Sequence, residues 1–122
     1  MTLTDQPRDT DTDTGTWVCV ARLADLEPDR GVAARLGREQ VALFKVGETG
    51  ELFAIDNRDP FSGANVMSRG IVGDREGEPK VASPIYKQSF SLRTGQCLDQ
   101  SDVSVVVWQV RGRDGFVEVL LP

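Results

Sequence analysis

The sequence predicts an all-β domain, folded either as an antiparallel sandwich or as a partial barrel. About nine short segments rich in β-forming residues run along the chain, and Gly-containing turns separate them at intervals of about eight to twelve residues. No segment with helical periodicity extends beyond about two turns. The length of 122 residues corresponds to one domain.

The first predicted strand, residues 16–22, reads TWVCVAR and is rich in aromatic and β-branched side chains. Residues 23–29 predict one helical turn, closed by a Glu-Pro-Asp sequence. Residues 31–36 alternate weakly between apolar and polar. A Gly-Arg turn then leads into residues 40–46, whose apolar side chains fall on both faces. These segments predict a β-hairpin near the start of the domain.

A Gly-Glu-Thr-Gly turn leads into the next predicted strand, residues 51–56, and a long irregular stretch follows at 57–70. Residues 103–111 form the most apolar predicted strand. The remaining predicted strands are 71–74, 80–82, 90–92 and 116–121. The side chains expected to be mostly buried are Trp17, Phe44, Phe53, Ile55, Val106, Trp108 and Val119.

The composition excludes several kinds of chemistry. The chain has no histidine, which removes imidazole acid–base catalysis, His-activated nucleophiles and His-based metal sites. Two cysteines are too few for a Cys₄ zinc site or an ordinary protein-ligated iron–sulfur cluster. Cys19 lies in an apolar run and is expected to be buried, whereas Cys97 follows a Gly turn and is expected to be more exposed. We expect no disulfide between them.

The net charge is −5, and its cations are spread along the chain, so neither nucleic acid nor an anionic membrane is an expected partner. No apolar run approaches the length of a membrane span. Residues 1–15 form a Thr/Asp-rich segment with four Asp and one Arg, which predicts a disordered tail before a domain at 16–122. Without an apolar signal segment, a cytoplasmic protein is expected.

Two loops carry the most specific pattern in the chain. The first is AIDN at 54–57 followed by DPFSGA at 59–64, and the second is SPIY at 83–86 followed by FSLRTG at 90–95. This frame resembles the Rieske iron–sulfur family, in which Cys-x-His follows an A-x-D-N strand end and Cys-Pro-x-His precedes a Phe-x-Leu-x-x-Gly hairpin. The resemblance implies a Rieske-like antiparallel β-sandwich or partial barrel, with the two loops at the former cluster tip.

All four positions that carry the cluster ligands in that family differ here. Asp59 and Ser83 stand where the two cysteines would be, and Phe61 and Tyr86 stand where the two histidines would be. Thiolates hold one iron of a Rieske centre and imidazoles hold the other. The resemblance therefore implies a Rieske-like domain without a cluster, colourless and free of iron when purified.

The space left by a cluster would be a costly cavity. Phe61 and Tyr86 are large enough to fill much of it and could stack edge to face. The hydroxyl of Tyr86 could then form a hydrogen bond with Asp59 or Ser83, whose polar side chains would otherwise be buried beneath the loops without a partner. We therefore expect both aromatic rings to point inward.

Among Rieske-like chains without cluster ligands, this sequence resembles above all the small subunits of assimilatory NAD(P)H-dependent nitrite reductases. The segments that carry this resemblance are WVCVARLADL, VALFKV, ELFAIDNRDPFSGANVMSRGIVGD and SPIYKQSFSLRTGQCLD. The resemblance implies a large-subunit partner that carries flavin, an iron–sulfur cluster and sirohaem and reduces nitrite to ammonia. No catalytic residue, cofactor or metal is then expected on this chain.

We expect the chain to act by binding that partner, with the loop tip as a possible contact surface. The residues predicted to face the partner are Arg58, Pro60, Ser62, Ile85, Lys87 and Gln88. One alternative is a free-standing adaptor or small-anion-binding module, which a pocket lined by Arg58, Lys87 and Arg93 would support. An electron-transfer ferredoxin is nearly excluded by the missing ligands.

Overall fold

Strands form where β-forming segments alternate with glycine turns, as predicted. A computed structural model describes residues 15–121, so the predicted tail lies outside the described residues except for Gly15. The described residues include 3₁₀ turns at Leu23–Asp25 and Met67–Arg69. Within the described residues the strands are β1 (Thr16–Arg22), β2 (Val32–Leu36), β3 (Glu39–Val46), β4 (Glu51–Asp56), β5 (Ile71–Arg75), β6 (Glu78–Ala82), β7 (Ser89–Ser91), β8 (Val107–Trp108), β9 (Val110–Arg113) and β10 (Phe116–Leu121).

The strands form three antiparallel sheets, which confirms the predicted all-β class. One sheet has the order β1-β10-β9, the second β2-β3-β4-β8, and the third β5-β6-β7. In the first sheet, Thr16 at the start of β1 pairs with Leu121 at the end of β10. In the third, β5 and β6 form a hairpin and β7 pairs with β6. The first and last strands of the domain are therefore neighbours.

The β3–β4 hairpin separates two hydrophobic cores because successive side chains of a strand point to opposite faces. Phe44 and Ile55 pack into one core with Phe90 and other residues of the third sheet. Leu43 and Ala54 pack into the other core, which includes Val117, Val119 and other buried apolar residues. All four hairpin residues are fully buried. The alternation predicted for residues 40–46 is therefore confirmed, and both faces are covered.

Residues 103–111 do not form the single strand that the sequence predicts. They contribute to β8, which pairs with β4, and to β9, which pairs with β10 in a different sheet. Because the segment crosses between sheets, its apolar side chains do not share one core. Val105 is buried, but Val106 is 54% exposed, so the prediction that Val106 belongs to the core is wrong.

The predicted exposure of the two cysteines is reversed. Cys19 is exposed because it points outward from β1, where the pairing with β10 is irregular between Cys19 and Ala21. Cys97 is 1% exposed because its backbone bridges Phe90 and its side chain packs into the core of the third sheet. Both cysteines are free, as expected.

The other core predictions hold in part. Phe44, Phe53, Ile55 and Val119 are buried. The two tryptophans are half-buried: Trp17 lies beneath the guanidinium of Arg111, with 4.0 Å between that group's carbon and the ring centroid. The described residues contain no helix of the length and apolarity needed to cross a membrane.

Candidate functional site

The first of the two loops, residues 57–70, is closed by Asn57 at the end of β4. Asn57 is 1% exposed, and its Nδ2 donates to Oε1 of Gln40 at 3.0 Å. Its side-chain Oδ1 accepts from the backbone N–H of Ser68 at 2.7 Å. Its backbone carbonyl oxygen accepts from the N–H of Met67 at 2.9 Å. One buried amide thus joins the start of the loop to its end. This role of Asn57 is not among the sequence-based predictions, although an Asn directly after an apolar strand is a usable signal for it.

Asp59 organises the outer part of the same loop. Its backbone N–H donates to the carbonyl of Ala64 at 2.8 Å, and its own carbonyl accepts from the N–H of Gly63 at 2.7 Å. Its carboxylate Oδ1 accepts from the N–H of Phe61 at 2.8 Å, an arrangement typical of Asx turns. Gly63 has φ +79°, which glycine adopts without strain. The turn presents the carboxylate inward.

The second loop, residues 83–88, begins where β6 ends. The N–H of Ser83 donates to the carbonyl of Gln88 at 2.9 Å, and the carbonyl of Ser83 accepts from the N–H of Lys87 at 3.1 Å. Within this turn Lys87 has φ +69°, a left-handed conformation that is uncommon for residues other than glycine. Ile85 and Tyr86 lie exposed at the apex of the turn.

The two loops are joined by a buried hydrogen bond. The hydroxyl of Ser83 donates to Oδ2 of Asp59 at 2.5 Å, and both residues are at most 1% exposed. We call this pair the Asp59–Ser83 clasp. It joins the two positions where the resemblance places cysteines. The predicted bond from the hydroxyl of Tyr86 to Asp59 or Ser83 is replaced by a bond between these two residues themselves.

The two aromatic residues behave differently from each other. The ring of Phe61 points inward and packs against Phe90, with 6.1 Å between centroids and an interplanar angle of 48°. Tyr86 is 58% exposed, so the expected stacking of Phe61 on Tyr86 is wrong. Tyr86 lies exposed in the turn that the bonds of Ser83 to Lys87 and Gln88 close, and Phe90 supplies the aromatic partner instead.

The residues predicted to face a partner divide by exposure. Arg58, Pro60, Ile85 and Lys87 are exposed. Ser62 and Gln88 are only partly exposed: the hydroxyl of Ser62 accepts from the N–H of Ala64. The side-chain Oε1 of Gln88 is buried and has no hydrogen-bond partner among the described residues. Arg58, Pro60, Ile85, Tyr86 and Lys87 are referred to below as the tip surface.

The residues at the tip do not fit a [2Fe–2S] cluster of the Rieske type. Such a cluster requires two thiolates and two imidazoles. Phe61 has no donor atom, Tyr86 points to solvent, and Asp59 and Ser83 are bonded to each other. Among residues 15–121, no group of three or more cysteine or acidic side chains lies close enough to hold a metal ion.

The alternative anion pocket of Arg58, Lys87 and Arg93 is not supported, because Arg93 is engaged elsewhere. Arg93 donates to both carboxylate oxygens of Glu51, at 3.0 and 3.3 Å, and lies over the ring of Phe53. Glu51 and Phe53 both belong to β4, so Arg93 is held against the β3–β4 hairpin. Arg93 also lies on the other side of β7 in the chain from Lys87.

Asp99 holds the end of the second loop in place, a role that sequence analysis also missed. The N–H of Ser89 donates to its Oδ2 at 2.8 Å, and Arg75 donates to Oδ1 at 3.2 Å. The hydrogen bond from Ser89 lowers the pKa of Asp99 below its ordinary value; burial opposes this shift, and Arg75 adds to it.

The lowered pKa predicts a pH dependence of stability. Since the folded state binds this proton less tightly than the unfolded state, the contribution of Asp99 is present above the ordinary carboxyl pKa and is lost as pH falls through the folded-state value. In urea titrations, wild type should therefore be more stable than Asp99→Asn at pH 6, and the two should converge toward pH 3. An equal difference in stability at both pH values would contradict this assignment.

Comparisons with known proteins give the family. The sequence model of a family described as a Rieske-like [2Fe-2S] domain matches residues 16–120. The nitrite reductase (NADH) small subunit of Escherichia coli K12 is 41% identical over 103 residues, which are 84% of this chain and 95% of that protein. A crystal structure assigned to an NADH-dependent nitrite reductase small subunit of Mycobacterium tuberculosis is 46% identical, with a TM-score of 0.84, and the match covers 90% of this chain and 98% of that one.

A third relative is a longer protein. The nitrite reductase [NAD(P)H] large subunit of Klebsiella oxytoca contains a region 43% identical to this chain over 103 residues, which are 84% of this chain and 11% of that protein. The predicted fold class and the Rieske-like frame are confirmed by these matches. The chain belongs to the Rieske-like domain family, and within it to the group of nitrite reductase small subunits.

Proposed function

We propose that this chain is the non-catalytic small subunit of an NAD(P)H-dependent nitrite reductase and that it acts by binding the large subunit. The observation that carries the proposal is the Klebsiella oxytoca large subunit, in which a domain 43% identical to this chain is part of the large-subunit polypeptide. A domain that is covalently joined to the large subunit in one protein is a natural binding partner where it is a separate chain.

The chemistry of the chain supports a non-catalytic role. The sequence has no histidine, and the tip carries the Asp59–Ser83 clasp instead of cluster ligands. In this proposal flavin, the iron–sulfur cluster and sirohaem reside on the large subunit, which reduces nitrite to ammonia in nitrate assimilation. The complex works in the cytoplasm, and the small subunit carries no redox centre.

The proposal is tested by nitrite-dependent oxidation of NADH and NADPH by the large subunit, with and without this chain. A co-purification assay with a tag on this chain runs beside it. We expect the chain to be retained with the large subunit and to raise its turnover or its lifetime during the assay. An acidic protein of similar size serves as the control for non-specific stabilisation.

Absence of both binding and any kinetic effect would overturn the proposal and favour the free-standing adaptor.

Iron analysis of the purified chain tests whether the chain carries a redox centre. We expect no stoichiometric iron, and a brown protein with about two irons per chain, the content of one [2Fe–2S] cluster, would contradict a chain without a redox centre.

A further inference from the structure

The exposed charges of the two tip loops, residues 57–70 and 83–88, all have the same sign. They are Arg58, Arg69 and Lys87. The only acid in these loops is Asp59, which is fully buried and engaged in the clasp. None of the three cations forms a salt bridge with another described residue. On a chain with a net charge of −5, the exposed charges contributed by these two loops are therefore all basic.

Apolar surface accompanies these cations. Ile85 is 42% exposed and its neighbour Tyr86 is 58% exposed, both at the apex of the second loop. Tyrosine and arginine are enriched in protein interfaces, where a tyrosine ring buries a large area with few rotatable bonds. An apolar centre beside exposed cations is the composition expected of a docking surface.

Lys87 adds an independent observation. Its left-handed conformation, with φ +69°, is one that glycine adopts without steric cost and lysine does not. The bond from its N–H to the carbonyl of Ser83 keeps the turn in this shape. The chain thus has an exposed cation at a position of the turn where a glycine would be less strained.

The clasp makes the two loops act as one surface. Arg58 and Pro60 flank Asp59, and Ile85, Tyr86 and Lys87 follow Ser83 in the second loop. The buried bond between Asp59 and Ser83 therefore fixes the first group relative to the second. A surface that is ordered before binding loses less conformational entropy on association than one made of two independent loops.

We propose that the tip surface docks on an acidic face of the nitrite reductase large subunit, with Tyr86 inserted into an apolar recess and Arg58 and Lys87 facing carboxylates. This proposal rests on the proposed function. It assigns the contact to the tip and specifies a negatively charged partner surface, on which association should be fast and sensitive to salt.

The test compares two double charge reversals that change the net charge equally. Arg58→Glu with Lys87→Glu alters the tip. Lys45→Glu with Arg113→Glu is the control, because Lys45 pairs with Leu52 at the start of β4, the opposite end from Asp56 and the first loop. Arg113 belongs to the same region, since its neighbour Gly112 lies against the side chain of Leu52.

Binding to the large subunit is measured by surface plasmon resonance at about 50 and 300 mM NaCl. The tip variant should bind about tenfold more weakly at low salt, mainly through slower association, and should lose most of its salt dependence. The control should bind like wild type, apart from a small uniform effect of net charge. Circular dichroism and urea midpoints verify that both variants fold.

Two single variants separate the apolar and charged contributions. Tyr86→Ala should weaken binding about tenfold or more through faster dissociation, as removal of an interface anchor does. Lys87→Gly should weaken binding while leaving the urea midpoint unchanged or higher, because glycine relieves the left-handed backbone. A loss of binding caused by misfolding would instead lower the midpoint.

Different results overturn the two proposals. If wild type does not bind the large subunit at all, the proposed function fails. If wild type binds and the tip variants bind equally well, the tip proposal fails and the subunit proposal stands. Sedimentation of the chain alone tests whether a second copy, and not the large subunit, occupies the tip surface. If the chain self-associates, and if salt or the double variant Arg58→Glu with Lys87→Glu abolishes this association, the surface is assigned to a second copy. The docking proposal is then overturned.

Discussion

Replacing Phe90 with alanine should lower the free energy of unfolding by about 3–5 kcal/mol, the usual cost of deleting a fully buried phenylalanine ring. Phe90 is completely buried on β7 and packs in the core of the third sheet. It also supports the ring of Phe61 beneath the first loop. The cavity would therefore lie directly under the tip. Urea denaturation followed by far-UV circular dichroism measures the change.

Val106→Ala is the matched control for this prediction. The sequence places Val106 in the most apolar segment of the chain, but the side chain is 54% exposed, so its truncation should change stability by less than about 0.5 kcal/mol. Comparable losses of stability in the two variants would contradict the complete burial of Phe90 and the exposure of Val106.

Breaking the Asp59–Ser83 clasp should have the second largest effect. Asp59→Ala leaves the hydroxyl of Ser83 and the N–H of Phe61 without their acceptors in a buried environment, and we expect a loss of about 2–4 kcal/mol. Asp59→Asn retains a carbonyl oxygen for one of these donors and should lose roughly half as much. Hydrogen exchange at the N–H groups of Gly63 and Lys87 should speed up in Asp59→Ala, because both belong to turns that the clasp connects.

A double-mutant cycle isolates the contribution of the clasp itself. Asp59→Ala, Ser83→Ala and the double variant should show a coupling free energy of about 0.5–3 kcal/mol, the range for residues in direct contact. Asp102→Ala, at an exposed position, controls for the loss of one carboxylate. If the losses at Asp59 and Ser83 simply add, the bond does not couple the two loops and the tip is not a single pre-ordered surface.

Local chemistry predicts the strands well but the burial of some side chains poorly. β-Forming residues between glycine turns determine where most strands begin and end, so residues 16–22 and 51–56 are predicted with the observed bounds. The predicted burial of Val106 is wrong because its exposure depends on the crossing of the chain from one sheet to another. The apolarity of the segment does not reveal that crossing. The reversed burial of Cys19 and Cys97 has the same origin in tertiary packing.

At the tip, the frame of the two loops could be predicted and the direction of one side chain could not. The positions of Asp59 and Ser83 within that frame imply that they lie close together, but not that they bond to each other. Tyr86 lies exposed in the turn that the bonds of Ser83 to Lys87 and Gln88 close. That turn includes a left-handed Lys87, a conformation for which a lysine gives no sequence signal. The expected iron-free state of the chain stays a prediction.

The pairing of Thr16 with Leu121 has a consequence for how this domain can be tethered. Because both ends of the folded unit emerge side by side, it can be spliced to a larger polypeptide through either end without rearranging its sheets. Such a tether replaces a bimolecular encounter by an intramolecular one and raises the local concentration of the tip near its target. Separate and fused versions of the domain could then share one docking geometry and differ only in how often contact is made.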